Sequence, residues 1–322
     1  MEKCVLGKNG SQPSTWSTSD EFLDIGSQAV PSELLVQDGG MVTGDTFVTL
    51  GRSARDQGRL TIAGADSAVT AGEIVVGEGG DGVLTVSGGA HCNVALGRVG
   101  APTDPDNTRG IGLATIKGTL LASSEWHATE SIDVGDTEPG TLRLQGQTIG
   151  PFDVGGATLR ADGAVTVGPK GFVRGNGTIV SPMVVGIHIS PDVDIETSVR
   201  GSAVLAALPA GKSGLLSASA AGGIIMIEGD YEQPADGKLT IDTVGVADGE
   251  FDVLHVTGNA TLAGTLEMLF PGTYLPKAGD SFKFLVVDGT ISGEFAEVAS
   301  RSSCQAFSST PRRWPADCFS PR

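Results

Sequence analysis

Two short patterns of alternating apolar and polar residues recur between Phe22 and Gly168. The first is an alternating run that leads into glycine, as in Val83–Gly89. The second is a briefer apolar run that ends directly on glycine, as in Ile74–Gly77. Alternation with a period of two indicates a half-buried β-strand. Glycine after each run indicates a turn, because it tolerates backbone angles that other residues avoid.

Both patterns recur at similar steps along the chain. The first ends on Val36, Ile62, Val86, Ile116 and Leu144, at steps of 26, 24, 30 and 28 residues. The second ends on Gly26, Gly51, Gly77, Gly97, Gly135 and Gly168. Such regular alternation predicts an all-β fold, a parallel β-helix (β-solenoid) of stacked coils with irregular loops. An antiparallel sandwich also has short strands, but it gives no reason for two patterns to alternate.

Changes of composition divide the chain into five predicted segments. They are an irregular segment 1–20, the β-solenoid repeats 21–180, an irregular insertion 181–225, C-terminal coils or a cap at 226–298, and a disordered tail 299–322. The tail holds two of the four cysteines and no strand pattern. A small disulfide-closed cap and a stretch read out of frame remain alternatives for it.

The composition and charge of the chain exclude some classes of binding partner. The chain has 48 glycines, and only 5% of its 322 residues are aromatic, which suits narrow coils. A formal net charge of −17 repels phosphate backbones and anionic lipid, so nucleic-acid binding is not expected. No apolar run has the length of a membrane span, and Met1–Gly7 lacks the apolar core of a signal peptide. We therefore expect membrane contact only through segments missing from this chain. Either the protein is cytosolic or its start is truncated, and the repeats already under way at Phe22 favour a truncated start.

Two kinds of motif would indicate specific chemistry: a CxxC pair for metal binding and a GxGxxG segment for phosphate binding. The cysteines are Cys4, Cys92, Cys304 and Cys318, and none forms the CxxC pair of a metal knuckle. The segment Gly77–Gly82 matches GxGxxG, the phosphate-binding motif of dinucleotide folds. That motif requires a helix after the glycines, whereas a strand pattern follows here. The segment is therefore predicted to be a turn.

Three stretches resemble a known family. Val76–Gly89 resembles the short repeat, Arg174–Ile179 the start of the long unit, and 226–298 the closing part of the β-strand-repeat passenger regions of bacterial autotransporters and PEP-CTERM-type exported proteins. The resemblance implies an extracellular or cell-surface location. It implies little about activity, because these repeats recur in passengers of many functions. The chain departs from the family at Ile189–Asp192, where members carry Asn-Ser-Pro-Gly.

Lyases and glycosidases built on β-helices use carboxylates, to bind Ca²⁺ or to act as paired catalytic acids. The candidate catalytic residues are Glu130, Asp133, Asp136 and Arg143. Trp126 and His127 are the candidate binding residues, with the indole as a stacking surface for a sugar. A solvated, non-catalytic coil face is the alternative for all six residues.

Metal binding has one candidate site. Asp104, Asp106 and Asn107 are Ca²⁺ ligands by type, but their spacing does not fit an EF-hand and a plain turn is the alternative. We therefore predict no cofactor, with Ca²⁺ as the one exception to test. The histidines, at 91, 127, 188 and 255, lack the spacing of a metal motif and are expected on the surface.

The repeats without convergent catalytic groups predict a non-catalytic, exported or surface-displayed β-solenoid with an adhesive or structural role. Its partner would be a glycan or a surface protein. A polysaccharide lyase or glycoside hydrolase on a β-helix is the first alternative. A fragment or misread gene product without independent function is the second.

Overall fold

A computed structural model describes residues 2–9, 12–17, 22–27, 29–44, 47–100, 110–136, 138–148, 154–186, 188–190, 222–270 and 274–302. Within these ranges the chain is all-β, with strands and turns and no helix. The predicted all-β class is therefore confirmed. The described residues include no helix long and apolar enough to cross a bilayer.

The strands are short, and their bounds follow. They are β1 (Glu2–Leu6), β2 (Lys8–Asn9), β3 (Gln12–Pro13), β4 (Thr15–Ser17), β5 (Phe22–Ile25), β6 (Ser32–Gln37), β7 (Met41–Thr43), β8 (Phe47–Leu50), β9 (Gln57–Ala63), β10 (Ala68–Val76), β11 (Asp81–Ser87), β12 (His91–Val99), β13 (Gly112–Lys117), β14 (Ser124–Val134), β15 (Gly140–Gln145), β16 (Gln147–Thr148), β17 (Val154–Gly155), β18 (Ala157–Ala161), β19 (Ala164–Val167), β20 (Gly171–Gly186), β21 (His188–Ser190), β22 (Ile224–Glu232), β23 (Lys238–Asp242), β24 (Val253–Val256), β25 (Ala260–Leu262), β26 (Thr265–Phe270), β27 (Leu285–Val287), β28 (Ile291–Gly293) and β29 (Glu297–Ser302).

Three parallel ladders organise these strands. The first ladder runs β1, β6, β9, β11, β13, β15, the first half of β20, β21, β23, β26 and β29. The second runs β4, β7, the first halves of β10, β12 and β14, then β18, the middle of β20, the start of β22, β24 and β27. The third runs β5, β8, the second halves of β10, β12 and β14, then β19, the ends of β20 and β22, β25 and β28. One strand from each ladder makes a repeat, and neighbouring repeats lie about 4.8 Å apart.

The predicted repeat positions are register partners in the first ladder. Val36 pairs with Ile62, Ile62 with Val86, Val86 with Ile116, and Ile116 with Leu144. All five side chains are fully buried, and the residues directly before and after each of them on its strand are more exposed. Burying each such side chain stabilises the fold by about 1.5–3 kcal/mol. The alternating pattern therefore gives both the register of this ladder and its core column.

Glycines allow close backbone packing at the corner between the third and first ladders. Gly77 follows β10 and has a φ of +80°. A Cβ added to Gly82 would lie 2.2 Å from the backbone nitrogen of Gly77. A Cβ on Gly112, the register partner of Gly82, would lie 2.2 Å from the Val76 carbonyl oxygen. Strand β11 begins within this segment, so the predicted turn at Gly77–Gly82 is confirmed.

The two styles of repeat share the same ladders. Strand β20 pairs with β22 in the second and third ladders, and β21 pairs with β23 in the first. The predicted boundaries at 180/181 and 225/226 therefore fall inside strands β20 and β22. Strand β29 continues past the predicted boundary at 298. Residues 191–221 of the predicted insertion and 303–322 of the predicted tail lie outside the described residues.

Two cysteines are described, and they differ in environment. Cys92 is fully buried in the second ladder, and this burial raises the pKa of its thiol to about 12. It therefore packs as a small apolar side chain rather than as a reactive thiolate. Cys4 is exposed on β1. Cys304 and Cys318 lie outside the described residues.

Candidate functional site

Strand β14 carries four of the six predicted catalytic and binding residues, namely Trp126, His127, Glu130 and Asp133. It belongs to the second ladder up to Ala128 and to the third from Ser131. Between these parts the register with β12 shifts, and Thr129 and Glu130 are exposed at the bend. The strand therefore presents its outward side chains on two ladders. Glu130 stands between them, on the corner.

Asp133 lies half-buried in the third ladder. Its register partners on the neighbouring strands are Arg98 and Thr166. Burial raises the pKa of Asp133, although Arg98 and a hydrogen bond from Thr166 act in the opposite direction, and Asp136 adds to the rise. The nearby Arg98 Nε lies 2.6 Å from Oε1 of Glu73, which is 8% exposed. Asp133 is thus a carboxylate with raised proton affinity beside an ion-paired arginine.

Arg98 is the neighbour that the sequence pattern misses. The prediction places a turn at Gly97, whereas Gly97 lies inside β12 and the turn follows at Gly100, where φ is +62°. The predicted turn at Gly97 is therefore wrong by three residues. The correct equivalence was visible in the sequence, because Val99–Gly100 repeats Val134–Gly135 and sets Arg98 beside Asp133.

Trp126 explains why glycine occupies position 97. A Cβ on Gly97 would lie 2.7 Å from Cζ2 of Trp126 and 3.3 Å from Cγ1 of Ile132. Trp126 is fully buried, in register between Cys92 and Leu159. In this structure the predicted stacking surface therefore belongs to the core. Its buried Nε1 has no hydrogen-bond partner among the described residues.

His127 lies on the outward side of the second ladder. Its Nε2 is 3.0 Å from Oδ1 of Asp162 in the next repeat. Close by, Arg160 Nε donates to Oε1 of Glu125 over 2.9 Å, and His91 Nδ1 lies 3.9 Å from Oε2 of the same carboxylate. These pairs each join neighbouring repeats. They make a polar surface that tethers β12, β14 and β18 to one another.

The structure separates Arg143 from the carboxylates. Arg143 lies in the first ladder, in register between Thr115 and Arg174, whereas Asp133 lies in the third. Asp136 is exposed just after the corner glycine Gly135. Arg143 lies on β15, the strand that follows β14 in the chain, but it is not a register partner of Asp133. Arg143 belongs to the first of the two repeated sequence patterns and Asp133 to the second, and the structure places these patterns in different ladders.

Neither the predicted metal ligands nor the cavity of the structure lies on β14. Asp104, Asp106 and Asn107 are outside the described residues. Among the residues that the structure does describe, no group of three or more His, Cys, Asp or Glu side chains could hold a metal ion. A cavity of about 300 Å³ opens at the first repeat, against Cys4, Trp16 and Leu23. None of the predicted site residues lines it.

Replacing Asp133 by asparagine is expected to change how stability depends on pH. Because the pKa of Asp133 is raised in the folded state, wild type loses stability as the pH rises through that value, and the uncharged asparagine does not. The stability of the variant relative to wild type should therefore increase as the pH rises from about 4, the ordinary pKa of an aspartate, through the raised pKa of Asp133. Urea unfolding across this range measures the difference. Asp248→Asn, at an exposed turn, is the control, and a difference independent of pH would contradict the assignment.

Comparison with family models, with curated proteins and with solved structures finds no match to this chain.

Proposed function

We propose that the chain is a β-solenoid of the bacterial passenger type, exported or displayed at the cell surface, with a non-catalytic adhesive or structural role. The observation that carries this proposal is the continuous in-register pairing from β1 to β29. The ten strand-to-strand steps of this ladder, at about 4.8 Å each, make a stack roughly 50 Å long. Such a stack is stiff, and it holds outward side chains at fixed spacing along an extended surface.

Many charged side chains form ion pairs between neighbouring repeats. Such pairs favour a structural role for these groups over a catalytic one. Lys238 Nζ lies 3.2 Å from Oε2 of Glu267, and Arg301 Nε lies 2.9 Å from Oε1 of the same side chain. The pairs on β12, β14 and β18 join repeats in the same way. A glycan or a surface protein is the partner that this extended polar surface suits. We include no resident cofactor in the proposal.

Surface display is tested by protease treatment of intact source cells. An antibody against the purified chain should detect it before treatment and lose the signal afterwards, while a cytosolic marker protein persists. Cell fractions probed with the same antibody give the location independently. Protection of the chain in intact cells, with digestion only after lysis, would contradict display at the surface.

A polysaccharide lyase or hydrolase is the second candidate, and the environment of Asp133 favours it. A carboxylate with a raised pKa is suited to donate a proton to a leaving group. The test incubates the chain with acidic and neutral polysaccharides and measures reducing ends and unsaturated products. Activity that Asp133→Asn abolishes would establish this candidate. Equal product with and without protein would remove it.

A further inference from the structure

Three successive segments of the first ladder carry basic residues without acidic ones, although acidic residues lie elsewhere in the same ladder, for example at Glu33, Asp81 and Glu267. Lys117, Arg143 and Arg174 lie on three successive first-ladder segments, and those segments contain no Asp or Glu. The strands of the other two ladders are acidic, with Asp24, Glu73, Glu125, Glu130, Asp133, Glu228, Asp230 and Glu232 against Arg98 and Arg160. The first ladder therefore presents a cationic region within a chain of net charge −17.

The cationic side chains share one outward face. Arg143 and Arg174 are register partners, so their Cα atoms lie about 4.8 Å apart. Lys117 follows Thr115, the partner of Arg143, by two residues and therefore points to the same side. Phe172 precedes Arg174 by two residues, and the guanidinium carbon lies 5.9 Å from the centre of its ring. We call Lys117, Arg143, Phe172 and Arg174 the basic face.

The inward neighbours of the basic face hold it in place. Leu142, Leu144 and Val173 are fully buried in the core beneath it. Arg143 and Arg174 are half-buried, and Lys117 is exposed. The guanidinium groups therefore project from a packed ladder rather than from a loop. Such fixed positions favour recognition, because less freedom is lost when a ligand binds.

We infer that the basic face binds an acidic polysaccharide. Guanidinium groups bind carboxylate and sulfate oxygens through two parallel hydrogen bonds, and an aromatic ring offers a flat apolar surface beside them. Arg143 and Arg174 are register partners, so their guanidinium groups can contact neighbouring anionic groups of one polymer. A polymer with repeated anionic groups can follow the strand-to-strand direction of this face. This inference rests on the proposed function and names its ligand class.

Carboxylated and sulfated polymers share the required chemistry, so the experiment uses one of each. Calorimetric titration of the full chain with polygalacturonate and with dextran sulfate is compared with neutral dextran. At least one anionic polymer should bind, with an affinity that falls as salt rises, and neutral dextran should not. A short DNA duplex serves as the rival polyanion. The net charge of −17 repels all three polyanions, so a preference among them reports local contacts with the basic face.

The variant Arg143→Gln/Arg174→Gln should weaken binding about tenfold or more. The matched control, Arg55→Gln/Lys277→Gln, also removes two positive charges, but from exposed turns, and should keep the wild-type affinity. Urea unfolding checks that each variant folds. Should the arginine variant fail to fold, Lys117→Gln at its exposed position replaces it and should weaken binding by about threefold.

Four outcomes would overturn the inference: no binding to either anionic polymer, equal binding of neutral dextran, tighter binding of DNA, or unchanged affinity in the arginine variant. Its failure is distinguishable from failure of the proposed function. A surface-exposed chain that binds neutral glycans irrespective of the arginines keeps the function and overturns the basic face. A chain that binds through the arginines but is protected inside cells keeps the basic face and overturns display.

Discussion

Replacing Gly112 by alanine is expected to destabilise the protein by about 3 kcal/mol or more. An added Cβ would lie 2.2 Å from the Val76 carbonyl oxygen and 2.4 Å from the Gly100 nitrogen. Both neighbours are backbone atoms of other strand ends, so no side chain can move aside. The strands would have to separate at this corner, which weakens pairing with the repeats on both sides. Urea unfolding of the full chain measures the loss.

Gly279→Ala is the matched control for Gly112→Ala. Gly279 has a φ of +99° and no atom within 4 Å of an added Cβ. Its substitution therefore strains only the local backbone, at a cost of about 1 kcal/mol. Equal losses for the two variants would show that close packing at the corner has no special weight. Gly58, Gly82, Gly140 and Gly171 share the register column of Gly112 and should respond as it does.

The second large effect is expected from Trp126 and Gly97 together. Trp126→Leu should cost about 2–5 kcal/mol, because it leaves a void in a fully buried site. Gly97→Ala should cost about 1–3 kcal/mol in the wild-type background, because its Cβ would lie 2.7 Å from the indole. In the Trp126→Leu background the same alanine has room. The double variant should therefore be more stable than the sum of the single losses predicts, by about 1–3 kcal/mol.

A double-mutant cycle in urea measures this coupling. Gly249→Ala, where an added Cβ meets no atom within 4 Å, replaces Gly97→Ala in the control cycle and should be additive with Trp126→Leu. Additivity of Gly97→Ala and Trp126→Leu would contradict the packing between them. A loss well under 1 kcal/mol for Trp126→Leu alone would instead indicate a surface position, as a stacking platform for a sugar requires.

The strand class and the first-ladder register could be predicted from the sequence, because period-two alternation directly encodes which side chains face the core. The five predicted positions from Val36 to Leu144 are partners for this reason. The predicted turn at Gly97 is wrong because a glycine can either make a turn or leave space for a neighbouring side chain. Here it leaves space for the indole of Trp126, while Gly100 makes the turn.

The site could be predicted only in part. Asp133 lies half-buried in a charged environment, but its register partner Arg98 was not among the predicted site residues, and Arg143 lies in another ladder. Periodicity gives each strand an inside and an outside, yet it does not say which outward residues become neighbours. That depends on where each turn lies, and the turn misplaced at Gly97 hid the pairing of Arg98 with Asp133. The basic face was hidden for the same reason, since Arg143 and Arg174 are 31 positions apart but adjacent in register.

The pairing of each repeat with only the repeats beside it has an evolutionary consequence. Between Val86 and Ile116 the chain takes 30 residues to advance one step, against 24 for the preceding step, and both pairs remain in register. Extra residues at a corner therefore leave the neighbouring hydrogen-bonded partners unchanged. Corner segments can vary in length and sequence under selection while the ladders conserve their pairing. Each such segment is a place where a new specificity can arise without redesign of the core.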